Sequence, residues 1–451
     1  MATKALVSWA LALQHSSIPS SVHDIAVKSI YNWAGCATGG YLQPAPGLAY
    51  NATSSFVPEN SNSTILGTDV VVDVQTAALI NGIASHADDH DGTHRDNPIH
   101  PSGPVFSARL AVAEWKGAVS GPDLLTAFVP GVEAECKLGV SVFPEHYNNI
   151  TSTVGSIDAA VAVGKILDLE LEELQKAISI AAIQVTGMHD SFGTDAKPFH
   201  VGRAAQNGLM AALLAKNGFS ASLEGPEAER GWIHVVSTRE NTTAEFDTLG
   251  EVWEIESNTF KPFPCDRIIH AAIDGWIQIR QLALEQNLDI LSITNVTART
   301  HPRVLFLTDD PEPTTGLEGK FSVYHTAAIA LLYGEATPSQ FTDDVVQNST
   351  VIGLREKVHV TSDDTVEEHE AFVSATFEDG TTLEYHVEHT IGSYENPLTA
   401  EQLKVKFLDQ VGTAIGDSRA EQAWVTFSTI ANATHVGEAV RLYRGEAKTS
   451  G

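Results

Sequence analysis

Ala371-Phe-Val-Ser-Ala-Thr-Phe-Glu-Asp-Gly-Thr-Thr-Leu-Glu-Tyr-His-Val-Glu-His389 is the passage that decides the fold. Apolar residues alternate with polar ones from 371 to 377, and β-branched and aromatic residues recur from 382 to 389. A period of two marks strands with one buried face. Glu378-Asp379-Gly380 supplies turn chemistry between them, so the passage reads as a hairpin. The β-branched segment 292–298 reads as a further strand.

Outward from this passage the texture is helical. Apolar residues recur at helical spacing over 24–34, 72–85, 103–118, 123–138, 157–167, 172–186 and 204–215. The texture changes near Lys261. One more helix is expected over 270–286 and another over 322–332. From Asn396 the helical pattern returns, with Pro397 and Thr399 marking a start before 403–411. The expected fold is therefore mainly α with an inserted α+β domain. A large all-helical domain, built from 1–265 and 395–451, flanks an α+β domain at 266–394.

The chain has 451 residues, enough for a sizeable core. It carries 57 acidic against 27 basic residues, a formal charge of -30. That excess argues against nucleic acid or an anionic membrane as partner. A small anionic substrate would instead need a local basic pocket. No run of 18 apolar residues occurs. The apolar run 5–13 reads as a first amphipathic helix rather than a signal peptide. The first 25 residues hold no arginine and one lysine, which disfavours mitochondrial import. An intracellular, cytoplasmic protein is expected. Cys36, Cys136 and Cys265 are sparse and form no C-x-x-C, so reduced thiols are expected rather than a zinc or iron–sulfur site.

The densest polar stretch is His86-Ala-Asp-Asp-His-Asp-Gly-Thr-His-Arg-Asp-Asn-Pro-Ile-His100. Its bland reading is a solvated loop. Yet four His, four Asp, Thr93 and Arg95 in fifteen residues bring together bases, acids and an anion binder. A metal site is a rival reading, although no H-E-x-x-H is present. A second stretch, Gly193-Thr-Asp-Ala-Lys-Pro-Phe-His200, leads a loop into a helix with Lys197, His200 and Arg203 at its start. Helix N-termini with nearby cations attract carboxylates. A plain loop with a surface lysine is the alternative. In Phe260-Lys-Pro-Phe-Pro-Cys-Asp-Arg267, aromatics and prolines frame Lys261 and fix its ammonium; an interdomain hinge is the alternative. In His146-Tyr-Asn-Asn-Ile-Thr-Ser-Thr-Val-Gly155, Thr151 and Thr153 are expected to cap a helix from near Gly155. A substrate-facing His146 or Asn149 is the sharper reading.

Together these motifs resemble the MmgE/PrpD family, over nearly the whole chain. The carriers are His86 to His94 with His100-Pro-Ser-Gly103, Gly193 to Gly202 with Ala204-Ala-Gln-Asn-Gly208, Lys261-Pro-Phe-Pro-Cys265, and Asn396-Pro-Leu-Thr399. The resemblance implies a helical domain made of both termini and a smaller α+β lid, in a homodimer that works without metal or organic cofactor. Family active-site positions carry over to Asp89, Thr93, His100, Lys197 and Lys261. Asp91, His94, His146, Asn149, His200, Arg203 and Arg267 are the accompanying candidates for substrate binding. Two departures stand out. The family's histidine two residues before the T-x-T-x-G run is Asn149 here, and Gly92 replaces a usual aspartate.

The implied substrate is a small di- or tricarboxylate. Lys197, Lys261 and Arg203 would hold its carboxylates, Asp89 and His100 would move protons, and Thr93 would orient it. Dehydration of 2-methylcitrate or a longer alkylcitrate is the first expectation. Decarboxylation of cis-aconitate and epimerisation of a related dicarboxylate follow, and a catalytically dead binding protein is the non-enzymatic alternative.

Overall fold

The computed structural model describes residues 2–97, 99–142, 150–184, 187–188, 191, 193–237, 239 and 242–441. The chain divides into two compact units. The first runs to Thr259 and resumes at Ala400; the second is Phe260–Thr399.

The first unit is built of helices. Val74–Ala87, Ser102–Lys116, Gly121–Val142, Ile150–Ile166 and Ala196–Lys216 pack on one another, and Ser20–Gly40 and Ala400–Ile415 pack together beside them. Local chemistry sets their starts. Asp73 caps Val74–Ala87 by accepting the N–H groups of Gln75 and Thr76. Apolar residues supply the core: Trp33, Phe106 and Phe128 are fully buried, with ring centroids 4.8 and 5.7 Å apart in sequence. Each such side chain stabilises by about 1.5–3 kcal/mol relative to exposure. The Trp33 indole N–H is satisfied by Ser107 Oγ at 3.2 Å. Several helix contacts are closer than side chains allow, among them Gly82 against Gly202.

The second unit carries a four-stranded sheet. Its order is Val358–Ser362, Ile293–Thr300, Ala371–Phe377, Thr382–Val387. The first pair is parallel and the others are antiparallel. The expected hairpin is present, paired from Thr376 opposite Thr382 to Ala371 opposite Val387. Ala371, Val373, Ala375 and Phe377 are buried on one face, in the same core as Trp276 of helix His270–Glu285 and Ala327 of helix Val323–Tyr333. The edge strand Val358–Ser362 escapes sequence reading because its alternation is short: Val358 is buried and Val360 half-buried, with exposed His359 and Thr361 between and after them.

The division falls at 259/260 and 399/400, where the sequence reading places it at 265/266 and 394/395. Packing explains the shift. Phe263 and Cys265 belong to the core of the second unit, and the Gly392 N–H donates to the Asn396 carbonyl. Among the described residues, no helix is long and apolar enough to cross a membrane.

Candidate active site

The site in the first unit begins where Val74–Ala87 ends. Asp89, two residues beyond the helix, has φ +52°, and its N–H donates to the His86 carbonyl at 3.1 Å. A left-handed conformation in a residue other than glycine is uncommon and marks a locally constrained turn. Asp89 Oδ1 lies 2.9 Å from Lys197 Nζ, the second residue of helix Ala196–Lys216. Both are buried.

Asp91 is 1% exposed and stands between two histidines. His86 Nδ1 reaches its two oxygens at 3.0 and 3.1 Å, and His100 Nδ1 reaches Oδ1 at 3.2 Å. The carboxylate only accepts, so each imidazole donates from Nδ1 and its Nε2 is the basic atom. The two rings meet edge to face at 4.5 Å. Burial holds His86 neutral, lowering its pKa to about 4. Burial pushes the Asp91 carboxyl up, but His100 and His86 outweigh it and leave it well below the usual carboxylate range. Asp91 is therefore an anion fixed by two N–H donors.

Thr93 Oγ1 is 3.4 Å from His100 Nδ1. Thr93 and His94 form a short strand that pairs with Asn258–Thr259. Gly92 packs on Asn258: an added Cβ would lie 3.1 Å from the Asn258 carboxamide. Thr151 is not a helix cap as expected, because its helix is already formed at Ile150. Its Oγ1 instead accepts the His100 backbone N–H at 3.0 Å.

The structure thus gathers Asp89, Asp91, Thr93, His100 and Lys197, and adds His86 and Thr151 to them. His94 is fully buried, with Nε2 3.1 Å from Glu254 and Nδ1 accepting the Asp96 N–H at 3.3 Å, so both ring nitrogens are engaged away from solvent. His200 is half-buried, which lowers its pKa. Arg203 is exposed and donates to Gln206. Lys261 and Arg267 belong to the second unit. There Lys261 is buried, with Nζ donating to the Cys265 carbonyl at 3.3 Å, and Arg267 reaches Glu368 at 3.5 Å beside Arg303. His146 and Asn149 lie outside the described residues.

His86, Asp89, Asp91 and His100 each offer a ligand atom within 4.8 Å of the others. Two imidazoles and two carboxylates suit a divalent ion. In the arrangement described, both Nδ1 atoms face Asp91 and the Lys197 ammonium sits on Asp89. The cluster is thus also complete as a proton-transfer site with its own cation.

The MmgE/PrpD N-terminal domain model matches residues 4–245, and the MmgE/PrpD C-terminal domain model matches 263–431. The chain belongs to the MmgE/PrpD family. A cis-aconitate decarboxylase from Aspergillus terreus is 26% identical, over 93% of this chain and 91% of the relative. The cis-aconitate decarboxylase of Homo sapiens is 27% identical over 78% of this chain and 76% of its own. A 2-methylcitrate dehydratase from Escherichia coli K12 is 23% identical over 63% of this chain and 62% of its own. In this MmgE/PrpD chain, then, the polar cluster lies within the N-terminal family domain, and Lys261 falls just before the C-terminal one.

Proposed function

We propose that the chain is a lyase for a small citrate-like tricarboxylate, and that its first activity is decarboxylation of a cis-aconitate-type substrate. The observation that carries the lyase reading is the adjacency of the Lys197–Asp89 pair to the Asp91–His100 pair. One supplies a cation for a substrate carboxylate, and the other fixes an imidazole whose Nε2 can give or take a proton. The decarboxylase reading is supported by the relatives of that name, whose likeness extends over more of the chain than that of the dehydratases.

In the decarboxylation, the bond to one carboxylate carbon breaks and carbon dioxide leaves without its electron pair. The pair spreads over the adjoining double bond and a second carboxylate, which Lys197 stabilises. His100, as an imidazolium that carries a proton on Nε2 as well as on Nδ1, then gives the Nε2 proton to carbon and is left neutral. Dehydration of an alkylcitrate is the second reading, favoured by the dehydratase relatives. Here His100 takes the proton beside a carboxylate, and Asp89, in its protonated form, would give one to the departing hydroxyl. Lys261 is proposed to bind a further carboxylate. We also propose, from the resemblance, a homodimer that works without metal or organic cofactor.

The test is a panel of cis-aconitate, 2-methylcitrate, a longer alkylcitrate, citrate and a chiral dicarboxylate, followed by mass spectrometry and by proton NMR in deuterated water. Loss of carbon dioxide from cis-aconitate is expected. Loss of water from an alkylcitrate would put the second reading first. Exchange of deuterium without loss of mass would point to epimerisation. No change in any substrate would overturn the lyase reading.

A further inference from the structure

We propose that Lys406 and Gln410, on the helix Ala400–Ile415, are positioning residues for the turn that carries Asp89. The role rests on the reading of Asp89 as a group that acts on the substrate.

The turn 86–91 places Asp89 in the left-handed region, at +52°. For a residue other than glycine this conformation costs about 1–3 kcal/mol and persists only where the surroundings over-determine it. The surroundings are specific. Gln43 Nε2 donates to Asp88 Oδ1 at 2.7 Å, and Asp91 is held by His86 and His100. His90, between Asp89 and Asp91, is buried and is held from the C-terminal segment by two separate groups. Lys406 Nζ donates to the His90 carbonyl at 2.6 Å, and Gln410 Nε2 donates to its Nδ1 at 3.1 Å.

Lys406 is itself steadied by Asn32 Oδ1 at 2.8 Å, and Gln410 is 3% exposed. An ammonium on a peptide carbonyl makes a charge-assisted bond, stronger than a neutral one. Leaving the left-handed region would change φ and ψ of Asp89 and redirect the chain that follows it, which would carry the His90 carbonyl off the ammonium. Lys406 and Gln410 therefore act through the backbone of the turn and touch no reacting atom. The helix that bears them begins at the first residue after the inserted unit, so the segment that completes the helical unit also fastens its catalytic turn.

The experiment compares the full-length protein with Lys406→Met and Lys406→Arg by steady-state kinetics on the substrate that the wild type turns over, and by hydrogen–deuterium exchange. For Lys406→Met, kcat is expected to fall by about 10²-fold, the effect of a misplacement near 1 Å. KM is expected to change by less than about threefold, because the ground-state contacts remain. Amides in 86–94 should exchange faster while those in Ser102–Lys116 keep wild-type rates. Lys406→Arg, which retains a cationic donor, should restore most of the turnover. Wild-type kcat in Lys406→Met would overturn the proposal. So would exchange that is unchanged in 86–94, or raised throughout the helical unit. If Lys406→Met does not fold, Gln410→Leu gives the same local readout. A wild type that turns over nothing in the panel defeats the lyase reading alone, and exchange then still decides whether the turn depends on Lys406.

Discussion

Gly82 and Gly202 meet with no side chain between their helices: a Cβ on Gly82 would stand 2.5 Å from the Gly202 Cα, and one on Gly202 would stand 2.2 Å from the Leu79 carbonyl oxygen. The consequence is chemical. One helix ends just before Asp89 and the other begins just before Lys197, so a wider crossing would be expected to draw apart the carboxylate and ammonium that now lie 2.9 Å from each other. Gly202→Ala is expected to destabilise by about 1–3 kcal/mol, the usual result of overpacking. Turnover should fall with it, because the two ends move apart. A thermal melt and a kcat measurement check this; wild-type values in both would show that the crossing can relax.

Asp89 combines a strained backbone with a charged role, and two substitutions separate them. Asp89→Asn keeps a side chain that tolerates the left-handed region but removes the charge. It also leaves the buried Lys197 ammonium without its counter-charge, so the melting temperature should fall while turnover drops by about 10²–10⁴-fold, the range of a positioned proton-transfer group. Asp89→Gly relieves the backbone strain but likewise leaves the Lys197 ammonium unpaired, so its melting temperature should also fall and turnover should be abolished. An active Asp89→Asn would remove Asp89 from the chemistry.

Asp91 holds His100 through Nδ1, so in the proposed mechanism its loss should act on kcat more than on KM. Asp91→Asn offers an amide that can donate as well as accept, which disturbs the tautomer of both histidines. A fall in kcat of at least about 10-fold, with a displaced pH profile, is expected from the loss of an oriented imidazole. An unchanged kcat would mean that His100 keeps its orientation without Asp91.

Behind the site, two carboxyls share the interior of the helical unit. Glu135 and Asp158 are both fully buried, on Gly121–Val142 and Ile150–Ile166. Burial pushes Glu135 up to about 8, and burial followed by Glu135 itself pushes Asp158 well above the usual range. A carboxyl whose folded pKa is raised stabilises the fold fully below its unfolded pKa, near 4.3 for glutamate. That contribution is lost as pH rises towards the folded value. Glu135→Gln removes this titration. Its melting temperature relative to wild type should therefore climb between about pH 5 and pH 8. A difference that does not vary with pH would show that Glu135 ionises normally in the fold.

The composition of these elements shows which parts of the molecule are local. The hairpin 371–387 and the long helices are each written in a few consecutive residues, as a period of two or of nearly four, and a reader of the chain alone finds them. The family is legible for a similar reason: its motifs are short runs such as 86–94 and 261–265. The edge strand Val358–Ser362 was hidden because its alternation rests on two valines alone. Thr151 looked like a cap because hydroxyls before an apolar run usually cap helices, yet it meets His100 across 51 positions of chain.

His86 stood in the quoted stretch but gave no sign of being Asp91's partner, since five residues apart is neither a helical nor a strand spacing. For Lys406 and Gln410 no local signal exists at all: they meet His90 across 316 and 320 positions. The sequence by itself determined the helical and strand segments, the insertion of one unit within another, the family, and the short runs that hold the polar groups. Tertiary structure alone decided which of those groups face one another. Periodicity and turn chemistry act over neighbouring residues, whereas the Asp89–Lys197 and Asp91–His100 contacts depend on where separate helices cross, and that is set by packing between residues distant in the chain.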